Sequence, residues 1–75
     1  MTKIKVGRYR HFKGPEVEVI GVALHSETMA ELVVYKHITG QMAGEENYWV
    51  RPVSVFVEEV ERDGKMIPRF KYLGE

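Results

Sequence analysis

Turn-forming residues recur at roughly ten-residue spacing along this chain and separate short runs rich in β-branched and aromatic side chains. That rhythm points to a small structure of antiparallel strands. The breaks are Gly14-Pro15, the stretch from Ser26 to Glu31, Thr39-Gly40 and Asp63-Gly64. Val6 to Phe12 reads as a strand in which Tyr9 and His11 alternate with Arg8, Arg10 and Phe12. Glu16 to His25 is the strongest strand. Val17 and Val19 lie on one face and Ile20, Val22 and Leu24 on the other, the pattern of a strand covered on both sides. Gly21 and Ala23 fall on the Val17 face, where small side chains permit sharp bending.

Thr28 and Glu31 have capping-box spacing, so the connection after this strand has room for one helical turn. Leu32 to Ile38 follows as a strand, with Val33, Tyr35 and His37 on one face and Leu32, Val34 and Ile38 on the other. A Gly-containing loop over 39–46 leads to Asn47–Arg51, a strand that sets Trp49 and Arg51 on a common face. Beyond Pro52 two periodicities compete. Val53, Phe56, Val57 and Val60 have helical spacing, while Val53, Val55 and Val57 alternate as in a strand. The Asp63-Gly64 pair, a strong signal for a two-residue hairpin, favours a short 3-10 turn over Pro52–Val55 and then a strand over Phe56–Arg62. Pairing across that turn sets Val60 opposite Ile67, Glu58 opposite Arg69 and Val57 opposite Phe70. Pro68 cannot donate to a ladder, so the last strand, Met66–Leu73, is expected at an edge. The resulting expectation is a mainly β fold: a small SH3-like antiparallel barrel of about five to six strands with a short 3-10 turn.

Seventy-five residues leave room for one domain, 1–75. There is no cysteine, hence no disulfide framework and no thiolate metal site. Met1–Lys5 lacks the apolar core of a signal peptide, and no run approaches the roughly 20 apolar residues of a membrane span. A cytoplasmic, bacterial-type protein with no membrane association is expected. Eleven basic residues cancel eleven acidic ones. Nucleic-acid binders draw affinity from phosphate neutralisation, so this balance argues against a dedicated one. A local basic segment does exist in Lys3, Lys5, Arg8, Arg10 and Lys13.

The residues able to carry chemistry are His11, His25, Glu27, Tyr35, Trp49 and Arg51. His25-Ser26-Glu27 places a histidine beside a hydroxyl and a carboxylate, but neighbours on a strand point to opposite faces, so His25 and Ser26 do not meet. Polar side chains capping a turn are the simpler reading of that segment. The three histidines lie on separate segments without a ligand spacing such as HExxH, so no metal site, catalytic residue or cofactor is predicted. His37, beside a loop, reads as a solvated residue. Trp49 taken alone reads as core. Together with Arg51 and His25, whose polar ends need water or partners, it reads equally as the rim of a pocket.

Assembled in order, these segments resemble the DUF1653 domain, an uncharacterised bacterial family. The resemblance rests on Gly7-Arg8-Tyr9-Arg10-His11-Phe12-Lys13-Gly14, on Ala23-Leu24-His25-Ser26-Glu27-Thr28 and on Leu32-Val33-Val34-Tyr35. It continues through Trp49-Val50-Arg51-Pro52, Phe56-Val57-Glu58, Asp63-Gly64-Lys65 and Pro68-Arg69-Phe70. It covers about Gly7 to Gly74, with an extended loop before the Trp. It implies no activity, cofactor or site residue.

Three functional expectations follow. The first is a non-enzymatic binding module that recognises a small anionic ligand or a peptide through His11, His25, Glu27, Tyr35, Trp49 and Arg51, with Arg51 meeting the anion while the aromatics stack. The second is a single-stranded nucleic-acid binder using Arg8, Tyr9, Arg10, Lys13 and Trp49. The third is a small metal-dependent hydrolase centred on His25 and Glu27. A monomer, or a homodimer formed along the exposed last strand, is expected.

Overall fold

The computed structural model describes residues 4–40 and 47–75. Among the described residues, seven strands and one helical turn follow in the order β1 (Gly7–His11), β2 (Glu16–Leu24), β3 (Glu31–His37), β4 (Trp49–Pro52), α1 (Val53–Phe56), β5 (Glu59–Arg62), β6 (Lys65–Pro68) and β7 (Phe70–Gly74). Five of the strands form an antiparallel sheet in the order β4-β3-β2-β1-β7, and β5 and β6 form a separate hairpin. The larger sheet is open, because no ladder joins β4 to β7. The expectation was a small SH3-like antiparallel barrel of about five to six strands; the described residues form antiparallel sheets of five and two strands that do not close.

β2 departs from simple alternation. Its register against β3 shifts between Val19 and Gly21, so Ile20 bulges and Val22, opposite Val33, rejoins the face of Val17 and Val19. Ile20 is 46% exposed, so the outer face of the strand meets solvent there rather than a second layer, and Leu24, on the Val22 face but at the end of the strand, is equally exposed. The extra residue reverses the expected assignment, and it sits beside the small residues Gly21 and Ala23. A second irregularity lies in β1, between Arg8 and Tyr9, where it pairs with β7. Bulges add bend and twist, and the bend here is large. Arg51 on edge strand β4 has its guanidinium carbon 5.7 Å from the ring centre of Phe70 on the other edge strand, β7.

The concave face holds the core: Tyr9, Val17, Val19, Val33, Tyr35, Val53, Phe56 and Phe70. Helix α1 supplies two of these, Val53 and Phe56. The expected 3-10 turn over Pro52–Val55 and strand from Phe56 give way to an α-helical turn over Val53–Phe56, with the strand starting only at Glu59, because Phe56 has an aromatic pocket to fill and Val57 has none. Phe56 stacks on Phe70 at 4.3 Å and 6° and meets the edge of Tyr9 at 5.2 Å, whereas Val57 is 51% exposed. The buried Tyr9 hydroxyl donates to the Lys5 carbonyl at 2.7 Å, so the ring enters the core without an orphaned polar end.

The Asp63-Gly64 hairpin forms as expected, with positive φ at both residues (53° and 77°), as a type I′ turn needs. Val60 pairs with Ile67, and Arg69 reaches Glu58 through both backbone and side chain. The expected Val57–Phe70 pair does not form. The strand foreseen over Met66–Leu73 breaks at Arg69, after which Phe70 joins β1 of the larger sheet. Residues Ser26–Ala30 make a turn rather than a helical turn, with Met29 at φ 61° and Thr28 accepting from the Ala30 N–H. Most of the loop expected over 39–46 lies outside the described residues. Among the described residues, no helix is long and apolar enough to cross a membrane.

Candidate functional site

Directly opposed residues in an antiparallel pair share a face. Tyr35 lies opposite Trp49 and Val33 opposite Arg51, which places all four on the concave side. At the end of the sheet where β1 stops, this gathers a chain of rings. His11 meets Phe70 at 5.0 Å, Phe70 meets Tyr35 at 6.2 Å, Tyr35 meets His37 at 5.6 Å, and His37 meets Trp49 edge-on at 5.3 Å. Tyr35 is core, whereas Trp49 is 36% exposed because β4 is an edge strand. The Trp is thus the open rim of the core.

Four of the six residues singled out from sequence therefore come together: His11, Tyr35, Trp49 and Arg51. Two residues not singled out, His37 and Phe70, complete the run. Alternation along β3 had already placed His37 on the Tyr35 face, so its position was legible although its contact with Trp49 was not. Phe70 was hidden because its expected partner was Val57.

His25 and Glu27 lie elsewhere. Leu24 pairs with Glu31, whereas Trp49 pairs with Tyr35, so the turn that carries His25 starts about 13 Å from Trp49 along β3 at about 3.3 Å per residue. The His25 ring is committed to that turn. Its Nδ1 accepts backbone N–H groups of Glu27 at 3.1 Å and Thr28 at 3.3 Å. The residues proposed for a nucleic-acid surface also divide. Tyr9 is buried, while Arg8 and Arg10, alternating with it along β1, share Glu16 at 4.0 and 3.1 Å. Among the described residues no group of three or more His, Asp or Glu is placed to hold a metal ion.

Positive charge concentrates around His11. Arg51, Arg69 and Lys13 all oppose its protonation, and together with burial, the largest cause, they hold its pKa below the ordinary 6.5. Nδ1 accepts the Lys13 backbone N–H at 3.1 Å, which leaves Nε2 as the protonated nitrogen of the neutral ring. Arg69 is paired with Glu58 at 2.7 Å. Arg51 forms no ion pair among the described residues, and its buried Nε has no hydrogen-bond partner. A planar cation lying over an aromatic ring, next to a histidine that resists a further positive charge, is suited to receive an anion.

The depressed pKa of His11 has a consequence for stability. Protonation costs more in the folded chain than in the unfolded one, so stability present above pH 6.5 is lost as pH falls through that value towards the lower folded pKa. The stability lost on acidification through that range should be smaller in His11→Gln than in the parent. Urea unfolding of both proteins above and below that range checks this, and equal losses would refute it.

A family model described as a protein of unknown function (DUF1653) matches residues 7–72. Among solved structures, the chain is similar to a crystal structure of a protein belonging to DUF1653 from Bordetella bronchiseptica. The two are 32% identical with a TM-score of 0.83, over 95% of this chain and 88% of that one. Among curated proteins there is no significant match.

Proposed function

Because the chain belongs to the DUF1653 family, whose description names no activity, we propose from its own geometry that it is a non-enzymatic module binding a small anion that carries a planar ring. Arg51 receives the anionic group beside His11, and Trp49 and His37 present ring faces and edges to the planar part. The observation that carries this reading is Arg51 itself: its guanidinium lies over Phe70 and, among the described residues, forms no ion pair. Viewing the curled sheet as SH3-like belongs to the same proposal and says nothing about ligand identity. The hydrolase reading draws no support from His25, whose Nδ1 is occupied by the turn. The nucleic-acid reading draws none from Tyr9, which is core.

The chain has a single Trp, so its fluorescence reports on the site. Phenyl phosphate is expected to change Trp49 emission saturably, and inorganic phosphate to bind more weakly. Arg51→Gln should weaken phenyl phosphate by about tenfold or more, since hydrogen bonds to charged groups contribute about 1.5–3 kcal/mol and a factor of ten is about 1.4. An unsaturable response in the parent, or equal affinity in the variant, rejects the proposal.

A further inference from the structure

A groove that adjoins the Arg51 site through His11 runs between the end of β1, the β6 strand and β7. Its volume is about 430 Å³, within the range of small-molecule sites. Phe12, Ile67 and Pro68 give it apolar walls, and Arg10 and Lys71 stand at it as the charged groups. The walls are tied in place. Arg62 donates to the Phe12 carbonyl at 2.8 Å, the Phe12 N–H donates to the Arg69 carbonyl at 2.9 Å, and the Arg69 N–H donates to the Glu58 carbonyl at 2.9 Å. A hairpin closed on itself by the last of these bonds and held to the end of β1 by the other two keeps its distance from β1, so the groove exists before any ligand arrives and little ordering cost falls on binding.

The charges point to the occupant. Arg10 and Lys71 are direct partners across β1 and β7, and like charges placed opposite one another destabilise a ladder. Arg10 is partly offset by Glu16 at 3.1 Å. Lys71 forms no ion pair among the described residues. An anion seated between the two would relieve the repulsion, and the apolar walls beside it would cover a hydrocarbon body. We propose that this groove binds a small amphipathic carboxylate, its chain against Phe12, Ile67 and Pro68 and its carboxylate between Arg10 and Lys71.

Octanoate is the probe, titrated into the isotopically labelled full chain and followed by backbone amide shifts. Saturable shifts at Phe12, Ile67 and Lys71 are expected in the millimolar range or tighter, with acetate far weaker because it lacks the chain. Lys71→Glu should weaken octanoate by at least about tenfold, the change expected on replacing one charge-assisted contact with a repulsive one. Lys71→Gln should fall between that variant and the parent. Lys71 is exposed on an edge strand, so both variants should keep the parent's spectrum elsewhere. Arg51→Gln should weaken octanoate far less than Lys71→Glu does, which distinguishes this carboxylate position from the anion position at Arg51. Acetate acting as strongly as octanoate, shifts that never saturate, or Lys71 variants equal to the parent would each overturn the proposal. A dimer that buries the same residues and excludes octanoate would overturn it too.

Discussion

Phe56→Ala should remove a large share of the stability of this chain. Phe56 is 2% exposed and joins three parts of the molecule: it stacks on Phe70 of β7, meets the edge of Tyr9 on β1, and approaches Tyr35 on β3 at 6.2 Å. It reaches that position from a helix of only four residues. A helix that short has almost no stability of its own, so its order depends on the side chain it buries. Truncating a buried Phe costs about 3–5 kcal/mol from lost transfer energy and the cavity left behind. A chain of this length has only about 4–11 kcal/mol in total. Urea unfolding should show a loss of about 3–5 kcal/mol, roughly half of the total at the middle of that range. Val57→Ala, one residue on and exposed, should stay within about 0.5 kcal/mol of the parent. A loss under about 1.5 kcal/mol for Phe56→Ala would mean that the aromatic stack is not what closes the core.

Gly7→Ala should have the next largest effect, for a different reason. Gly7 adopts φ 133°, where side-chain-bearing residues are strained, and a Cβ there would stand 2.7 Å from the carbonyl oxygen of Gly74. That oxygen is backbone and cannot swing aside. Strain of this kind costs about 1–3 kcal/mol, and the collision adds to it by pushing β7 away from β1. Gly14→Ala separates the two contributions, since Gly14 has φ 114° but nothing within 4 Å of its would-be Cβ. Thermal melts should rank the parent first, Gly14→Ala second and Gly7→Ala last. Equal losses in the two variants would show that the close approach of Gly74 contributes nothing.

Much of this arrangement was legible in the residues because it depends on near neighbours. The positive φ of Asp63 and Gly64 and the Val60–Ile67 pairing follow from turn chemistry. The common face of Trp49 and Arg51 follows from the two-residue period of a strand. His25 was drawn into the candidate site by residue type alone, and its turn holds it apart. His37 was passed over because a histidine beside a loop is usually solvated, and only the proximity of Trp49 gives it a role.

What the sequence by itself determined is therefore local: the first four strands, the hairpin, and the two-residue alternation that pairs Trp49 with Arg51 on one face and Tyr35 with Val33 on another strand's face. Only the tertiary structure decided the rest. The bulge at Ile20 moved Val22 to the core face, and the break at Arg69 sent Phe70 across to β1. The sheet stayed open yet curled enough to bring Arg51 over Phe70 from the opposite edge. The physical reason is that one inserted or unpaired residue costs little locally but inverts or redirects everything after it. Its worth is settled by which distant side chains then fill the core.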